Sequence, residues 1–278
     1  QSPGDSQRRY EDRWIGLKVE FVDTHCHLNF HAYAEDLVEV IERASWKGVN
    51  HIIVPGLDLD SSRQAVALAD QYNTLYAAVG VHPEDVAQFN MNDLCVFEDL
   101  LSSDKVVAVG EIGLDYYHRQ DQKILQQEIL KIFLNLALEF HKPVILHSRE
   151  SLNDLFNILA EYYLISNQSH TSGIFHAFEG GFDDATKAIS MGFYLGAGGP
   201  ITYKNAHSKQ EVFSKISLEH IVLETDGPFM APQLHRGKRN EPSFIPVIAE
   251  AIAELQHCDI KEIAGTTTAN ASSLFNWN

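Results

Sequence analysis

The sequence is poor in cysteine and in long apolar runs, and each shortage excludes a class of protein. Its three cysteines, Cys26, Cys95 and Cys258, lie far apart and form no CxxC pair. That spacing excludes a disulfide framework and a structural zinc site built on thiolates. No apolar run approaches the length of a transmembrane helix, and no apolar segment of signal-peptide type stands near the start. We therefore expect a soluble, cytoplasmic protein that does not bind a membrane.

Basic residues are also scarce. The chain has 21 Lys and Arg against 38 Asp and Glu, which gives a formal net charge of −17. An acidic surface repels the phosphodiester chain, so the charge disfavours broad binding to duplex DNA. Bound divalent cations would reverse the field locally. The charge therefore still permits a metal-centred site that acts on phosphates.

Short apolar runs alternate with helical patterns along the 278 residues. The runs begin about 29 residues apart, which is the length of one βα unit. Between two of them, residues 122–140 carry an apolar stripe at helical spacing that ends at His141-Lys142-Pro143. The eight runs of strand character lie near residues 19–25, 50–55, 75–81, 105–111, 143–147, 173–176, 192–197 and 220–225.

Eight βα units in about 250 residues predict an α/β protein with one (β/α)₈ TIM barrel, which we assign to residues 18–278. An open doubly wound sheet is the alternative. No predicted strand is followed by the GxGxxG or GxxxxGK[ST] turn with which such sheets bind phosphates, which weakens that alternative. Residues 1–17 are interpreted as an N-terminal extension, or a segment added for expression, without a functional role.

Six of the eight runs end in histidine or a carboxylate. Such groups at the ends of buried strands are costly unless they are paired or metal-bound. His25 and His27 are two residues apart, so on a strand they would point to the same face, with Cys26 opposite. In a barrel, functional residues gather at the carboxyl ends of the strands. The candidate metal ligands are His25, His27, Glu111, His147, His176 and Asp226.

These candidates separate into two predicted metal sites. Asp226 would join the two strand-1 histidines, because strands 1 and 8 are neighbours in a barrel, and His147 and His176 would form a second site on strands 5 and 6. Glu111 on strand 4 could bridge the two ions, since a carboxylate has two oxygens. Mixed nitrogen and oxygen ligation suits two zinc or manganese ions, and magnesium is possible with fewer nitrogen ligands.

Each candidate also has an ordinary structural interpretation. Asp226 precedes Gly-Pro and suits a turn, and His82 precedes a proline and suits a turn cap. Glu111 could be a buried ion-pair partner. Glu224 alternates with Asp226 and could support the same site. As a set at strand ends, however, four histidines and two carboxylates favour a metal hydrolase over separate structural explanations.

The motifs around these residues have a recognisable order and spacing. They are DTHCHL at 23–28, GVHP at 80–83, GEIGLDYY at 110–117, PVILHSR at 143–149, HAF at 176–178, LETDGP at 223–228, RNEP at 239–242 and TANA at 268–271. Over residues 19–278 the chain resembles the TatD family of metal-dependent deoxyribonucleases, which are amidohydrolase-like metal hydrolases. The resemblance implies a TIM barrel, the same six metal ligands, and roles near metal or substrate for His82 and Glu224.

The chain departs from the usual family pattern in two segments. After His176, where the family often has Cys-Phe-Ser-Gly, it has Ala-Phe-Glu-Gly, which adds the acid Glu179 near the expected site. In the segment after strand 8, Gly227 replaces a common Ala, and Phe229 replaces a common Tyr. All six expected ligands are intact, so these changes bear on substrate preference.

The resemblance also implies a reaction. We expect phosphodiester hydrolysis at single-stranded or frayed DNA ends, with DNA as the partner and no obligate protein partner. Asp226 is expected to handle the proton in catalysis, and Glu111 and His82 are the other two predicted catalytic residues. Arg149 and His82 are candidates for holding the phosphate.

A basic loop follows strand 8. Residues 227–240 include Arg236, Lys238 and Arg239 but no acidic residue. The loop after strand 8 is where barrels often bind phosphate, so these three residues are predicted to bind substrate. A solvated surface loop is the alternative interpretation.

Two other functions remain open from the sequence. One is hydrolysis of an ester or amide, as in deacylation of D-aminoacyl-tRNA or attack on a small molecule. Many amidohydrolases carry a carbamylated lysine on strand 4, where this chain has Glu111, and this favours the nuclease. The other is a non-catalytic scaffold, which would be expected to have lost ligands, and none is missing.

Overall fold

The computed structural model describes residues 19–165 and 173–277, so the predicted extension at 1–17 lies outside the described residues. Eight parallel strands pair in chain order, each with its sequence neighbour, and helices lie between them. This is the (β/α)₈ TIM barrel that the strand spacing predicts. Within the described part of the chain, no helix is both long and apolar enough to cross a membrane.

All eight predicted strands are present. The strands are β1 (Phe21–Asp23), β2 (Val49–Pro55), β3 (Leu75–Val79), β4 (Val106–Asp115), β5 (Val144–Arg149), β6 (Gly173–Phe175), β7 (Tyr194–Ala197) and β8 (Ile221–Leu223). The prediction was wrong at the end of β1, because the strand stops at Asp23 and the two histidines follow it. β4 instead runs four residues beyond its predicted end, to Asp115.

The helices surround the barrel. Those in the described ranges are α1 (Leu37–Trp46), α2 (Leu59–Gln71), α3 (Leu94–Leu101), α4 (Lys123–Glu139), α5 (Leu152–Ile165), α6 (Phe182–Ser190), α7 (His207–Lys215), α8 (Ile245–Gln256) and α9 (Ile260–Phe275). The helix predicted over 122–140 is α4, and its apolar stripe packs against β4. It ends because His141 adopts a left-handed conformation and Pro143 cannot continue a helix.

The core has two layers. One lies between the strands and the surrounding helices, and the other fills the barrel interior with side chains from successive strands, including Val22, Ile53, Ile145 and Val222. The strands are buried on both faces, which is why they are continuous apolar runs in the sequence. This packed barrel leaves the carboxyl ends of the strands as the place for polar chemistry.

The barrel closes on itself at a seam between β8 and β1. The backbone N–H of Thr24 donates to the carbonyl of Leu223 at 3.0 Å. Beyond the strands, the N–H of Asp226 donates to the carbonyl of His25 at 2.8 Å. The segments that complete the barrel therefore also carry candidate ligands.

A buried carboxylate reinforces the seam. Asp23 is fully buried, and its Oδ1 accepts the N–H of Thr225 at 2.9 Å while Oδ2 accepts the Thr225 hydroxyl at 2.5 Å. Asp23 Oδ1 also accepts the N–H of His25 at 3.2 Å. A single side chain thus fixes the positions of both segments that leave the seam.

Candidate metal centre

The six residues predicted as ligands lie together at the carboxyl end of the barrel. They come from β4, from β5 and from the loops after β1, β6 and β8. On the seam side, His25 Nε2 lies 3.2 Å from His27 Nε2, and Asp226 Oδ1 lies 3.5 Å from His27 Nε2. Side chains about 200 residues apart in sequence therefore form one cluster.

Glu111 lies at the centre of this cluster and is buried. Its two carboxylate oxygens face different sets of histidines. Oε2 faces the seam pair, at 3.2 Å from His25 Nε2 and 3.8 Å from His27 Nε2. Oε1 faces the other three, at 3.0 Å from His147 Nδ1, 3.6 Å from His82 Nε2 and 3.8 Å from His176 Nε2.

The electrostatics of the cluster favour positive charge. Burial raises the pKa of Glu111, but the surrounding histidines lower it more, so the pKa stays well below its ordinary value. Burial lowers the pKa of His176, yet Glu224, Glu111 and Asp226 more than offset it and raise the pKa to about 10. The carboxylates therefore draw a proton onto an imidazole wherever no other cation balances them.

The donor set fits a divalent cation. His25 and His27 bring their Nε2 atoms to 3.2 Å, while their Nδ1 atoms are buried and make no hydrogen bond within the described ranges. Two facing ring nitrogens beside two carboxylates form a converging set of imidazole and oxygen donors. That is the ligand chemistry of zinc and manganese sites.

The grouping within the cluster differs from the sequence prediction. His176 lies within 3.9 Å of Asp226 Oδ1, and its ring stacks on that of His25 at 3.7 Å between centroids. It is drawn to that side by Glu224 on the segment after β8, whose Oε1 lies 3.1 Å from His176 Nδ1. The ring beside His147 is instead that of His82, at 4.5 Å between centroids.

Glu224 fits its place because residue 196 is glycine. The carboxylate is fully buried, and its Oε1 accepts the N–H of Ala177 at 2.6 Å besides facing His176. A Cβ on Gly196 would lie 2.3 Å from Glu224 Oε2, so the carboxylate would have to move from this position. The glycine on β7 thus leaves the space for a supporting carboxylate that contacts His176, the residue that follows β6.

Asp115 is a site residue that the sequence analysis missed. It is fully buried, and its Oδ2 lies 3.1 Å from His147 Nε2 and 2.9 Å from His118 Nδ1. Burial raises its pKa, but these contacts lower it further, to below the ordinary value. The signal was present, because residues 111 and 115 are four apart on a strand and so share a face.

The loops at the site hold strained backbone. Asp226 and Ala177 both have positive φ, at 56° and 46°, although neither is glycine. Such conformations cost about 1–3 kcal/mol each and persist where the surroundings enforce them. Asn240 supplies part of that restraint, since its side-chain amide donates to the carbonyls of Thr225 and Phe229 at 2.7 Å.

A cavity of about 590 Å³ opens above the cluster. On the β8–β1 side its wall is apolar and includes Phe30, Phe229 and Met230. On the β4–β5 side the wall includes Arg149, whose guanidinium lies 4.7 Å over the ring of Tyr117. The cavity thus has an apolar side and an opposite side that carries Arg149, above a carboxylate–imidazole floor, and the acids Glu84, Asp85 and Glu179 also line it.

The three basic residues of the loop predicted to bind substrate are not among the residues that line this cavity in the described structure. Arg239 donates to both carboxylate oxygens of Asp36, at 2.7 and 2.8 Å, so its charge is already paired and we withdraw it from the substrate-binding set. Arg236 is exposed, with its guanidinium 4.5 Å over the ring of Tyr203, and Lys238 is also exposed. These two remain predictions.

Comparison with known proteins agrees with the fold. The family model described as TatD related DNase matches residues 22–276. The chain is 41% identical to the metal-dependent hydrolase YabD of Bacillus subtilis, over 92% of this chain and 99% of that protein. It is 33% identical to a protein of Edwardsiella piscicida named 3'-5' ssDNA/RNA exonuclease TatD, over 91% of this chain and 98% of that protein.

A solved structure supports the same assignment. The crystal structure of the TatD homologue YjjV of Escherichia coli matches with a TM-score of 0.86 at 35% identity, over 92% of this chain and 98% of that one. A sequence identity of 35% along nearly the whole barrel shows a family relationship and not only a shared fold. The chain therefore belongs to the TatD family and is a metal-dependent hydrolase.

Proposed function

We propose that the protein is a deoxyribonuclease that cleaves phosphodiester bonds at DNA ends or in single-stranded DNA. The observation that carries the proposal is Glu111, whose two oxygens face two different sets of histidines. That arrangement suits a carboxylate shared by two cations, which is a recurrent design for phosphodiester cleavage. The name of the Edwardsiella relative adds nucleic acid as the substrate class.

Two divalent cations, zinc, manganese or magnesium, complete the proposed site. One would be held on the seam side and the other on the β5 side, with Glu111 common to both. The proposed ligands are His25, His27, Glu111, His147, His176 and Asp226. When bound, such cations supply Lewis acidity at the phosphoryl oxygens and lower the pKa of water.

Asp226 is the proposed proton acceptor. Burial raises its pKa, but the neighbouring histidines lower it below the ordinary value, so the carboxylate is ionised at neutral pH. Its side chain is 10% exposed and lines the cavity, so an oxygen can reach a substrate there. An ionised carboxylate within reach of the substrate is what a general base requires.

His82 is a proposed hydrogen-bond donor to the substrate phosphate. Burial lowers its pKa to about 3, so the ring is neutral at pH 7. Its Nδ1 accepts the N–H of Glu84 at 3.2 Å, which leaves the ring proton on Nε2. Arg149, held over Tyr117 at the cavity wall, would supply positive charge to the same phosphate.

The test is an activity panel on metal-reconstituted protein. The substrates are 5′- and 3′-labelled single-stranded DNA, duplex DNA, RNA, D-aminoacyl-tRNA and a small ester. We expect cleavage of single-stranded DNA that Asp226→Asn abolishes. Asp85→Asn, which also removes an acid from the cavity wall but leaves the cluster intact, is the matched control. Hydrolysis of D-aminoacyl-tRNA or of the small ester without cleavage of DNA would instead establish the protein as an ester hydrolase.

A further inference from the structure

Two phenylalanines stand beside the metal centre without a part in it. The ring of Phe30 stacks on His27 at 4.7 Å between centroids, and the ring of Phe229 meets Phe30 edge-to-face at 6.0 Å. Phe229 also approaches His27 at 6.2 Å. Phe30 and Phe229 both line the cavity wall next to the candidate ligand His27. We call this pair of rings the aromatic step.

Phe229 is exposed but its position is fixed. The residue is 51% exposed although it lies beside a buried site. Its N–H donates to the carbonyl of Asp226 at 2.9 Å, and its carbonyl accepts the amide of buried Asn240 at 2.7 Å. The backbone that positions Asp226 therefore also presents this ring to the cavity.

The chemistry of the cavity wall changes from one side to the other. The aromatic step lies on the side of β8 and β1, whereas Arg149 lies at the end of β5, across the barrel. A nucleotide has the same division, because its phosphate is anionic and its base is a flat apolar surface. A phosphate placed over Glu111 and near Arg149 leaves the base on the aromatic side.

We propose that the aromatic step stacks on the base of the terminal nucleotide, with Phe229 in face contact and Phe30 supporting it. The inference rests on the proposed nuclease function and adds a nucleobase-binding site to it. Stacking tolerates any base, because every base has a π face. The step would therefore hold a frayed end in place without reading its sequence.

The test compares two oligonucleotides that differ only at the end. One ends in thymidine and the other in a tetrahydrofuran abasic residue. We expect metal-loaded wild-type protein to favour the thymidine end about tenfold in kcat/KM, and Phe229→Ala to reduce that preference to about one. Leu234→Ala is the control, since Leu234 is 41% exposed on the same loop but does not line the cavity.

A second measurement reports stacking without turnover. An oligonucleotide with terminal 2-aminopurine and a hydrolysis-resistant phosphorothioate linkage should lose fluorescence on binding to the wild type and to Leu234→Ala, and not to Phe229→Ala. Cleavage with an unchanged end preference in Phe229→Ala would overturn the stacking site and leave the nuclease intact. Quenching without any cleavage would support the stacking site and refute the nuclease. Absence of quenching in the wild type would overturn the stacking site.

Discussion

Replacing Gly196 by alanine should lower the metal affinity of the site, although Gly196 is not itself a candidate ligand. The added Cβ would lie 2.3 Å from Glu224 Oε2 and 2.7 Å from its Cδ. Glu224 is fully buried, so its carboxylate cannot swing into solvent to make room. It must move within the core, and its contacts to His176 Nδ1 and the Ala177 N–H must lengthen.

Two magnitudes follow from this displacement. Loss of a carboxylate that orients a ligating imidazole costs about 10–100-fold in metal affinity. Overpacking of the core costs about 1–3 kcal/mol in the free energy of unfolding. Competition against a zinc chelator measures the affinity, and urea unfolding of the metal-free protein measures the stability.

Gly198→Ala is the matched control. A Cβ there would lie 3.6 Å from Glu224 Oε1, an ordinary van der Waals distance, and the backbone at φ −111° and ψ −176° accepts alanine. This variant should bind zinc as the wild type does. Equal zinc affinities for the two alanine variants would refute the claim that Glu224 maintains the centre through His176.

Three further predictions concern the cluster, the basic loop and acid stability. Glu111→Gln should lower turnover by several orders of magnitude and reduce the metal content, with an unchanged circular dichroism spectrum, because an amide is a poor bridge between cations. The double variant Arg236→Gln, Lys238→Gln should raise KM for oligonucleotides and reduce the slope of log K against log salt concentration by about 1.4. An unchanged slope would show that the two residues do not contact the substrate. Arg239→Gln should instead cost up to about 1 kcal/mol of stability, a figure discounted because its partner Asp36 is 36% exposed. Arg239, and to a lesser extent Arg43, hold the pKa of Asp36 at about 2, below its ordinary 3.8, so this stabilisation is complete above about pH 5 and is lost as the pH falls through about 2. Unfolding free energies of the wild type and Arg239→Gln should therefore differ by a constant amount from pH 7 to about pH 5 and by less as the pH falls through about 2, and a difference at pH 2 as large as that at pH 7 would contradict this.

The barrel could be predicted because its cause is local. Each strand is buried on both faces and each helix has one apolar stripe, so both appear in the sequence as short-range patterns. The end of β1 was misjudged because the alternation through His25 and His27 continues the pattern of a strand that the backbone has already left. Asp115 was missed for the converse reason, since β4 continues past the last apolar run.

The arrangement inside the site depends on non-local contacts. His176 turns toward the seam because of Glu224, 48 residues later in the chain, and Arg239 is neutralised by Asp36, 203 residues earlier. No pattern within a short window of sequence contains such a pairing. The sequence therefore predicts which residues meet at the strand ends but not how they pair there. That these residues bind metal stays a prediction.

The seam between β8 and β1 has a consequence for the order of events during synthesis. Asp23 cannot form its hydrogen bonds with Thr225 until that residue, 202 residues later in the chain, has been synthesised. The carbonyl of His25 likewise has no N–H of Asp226 to accept before that point. A ribosome-bound chain that ends before β8 can pair seven strands, yet it lacks both the closing contacts and one of the two central carboxylates. The nascent chain would therefore gain hydrolase activity only after the last strand has been synthesised and has closed the barrel.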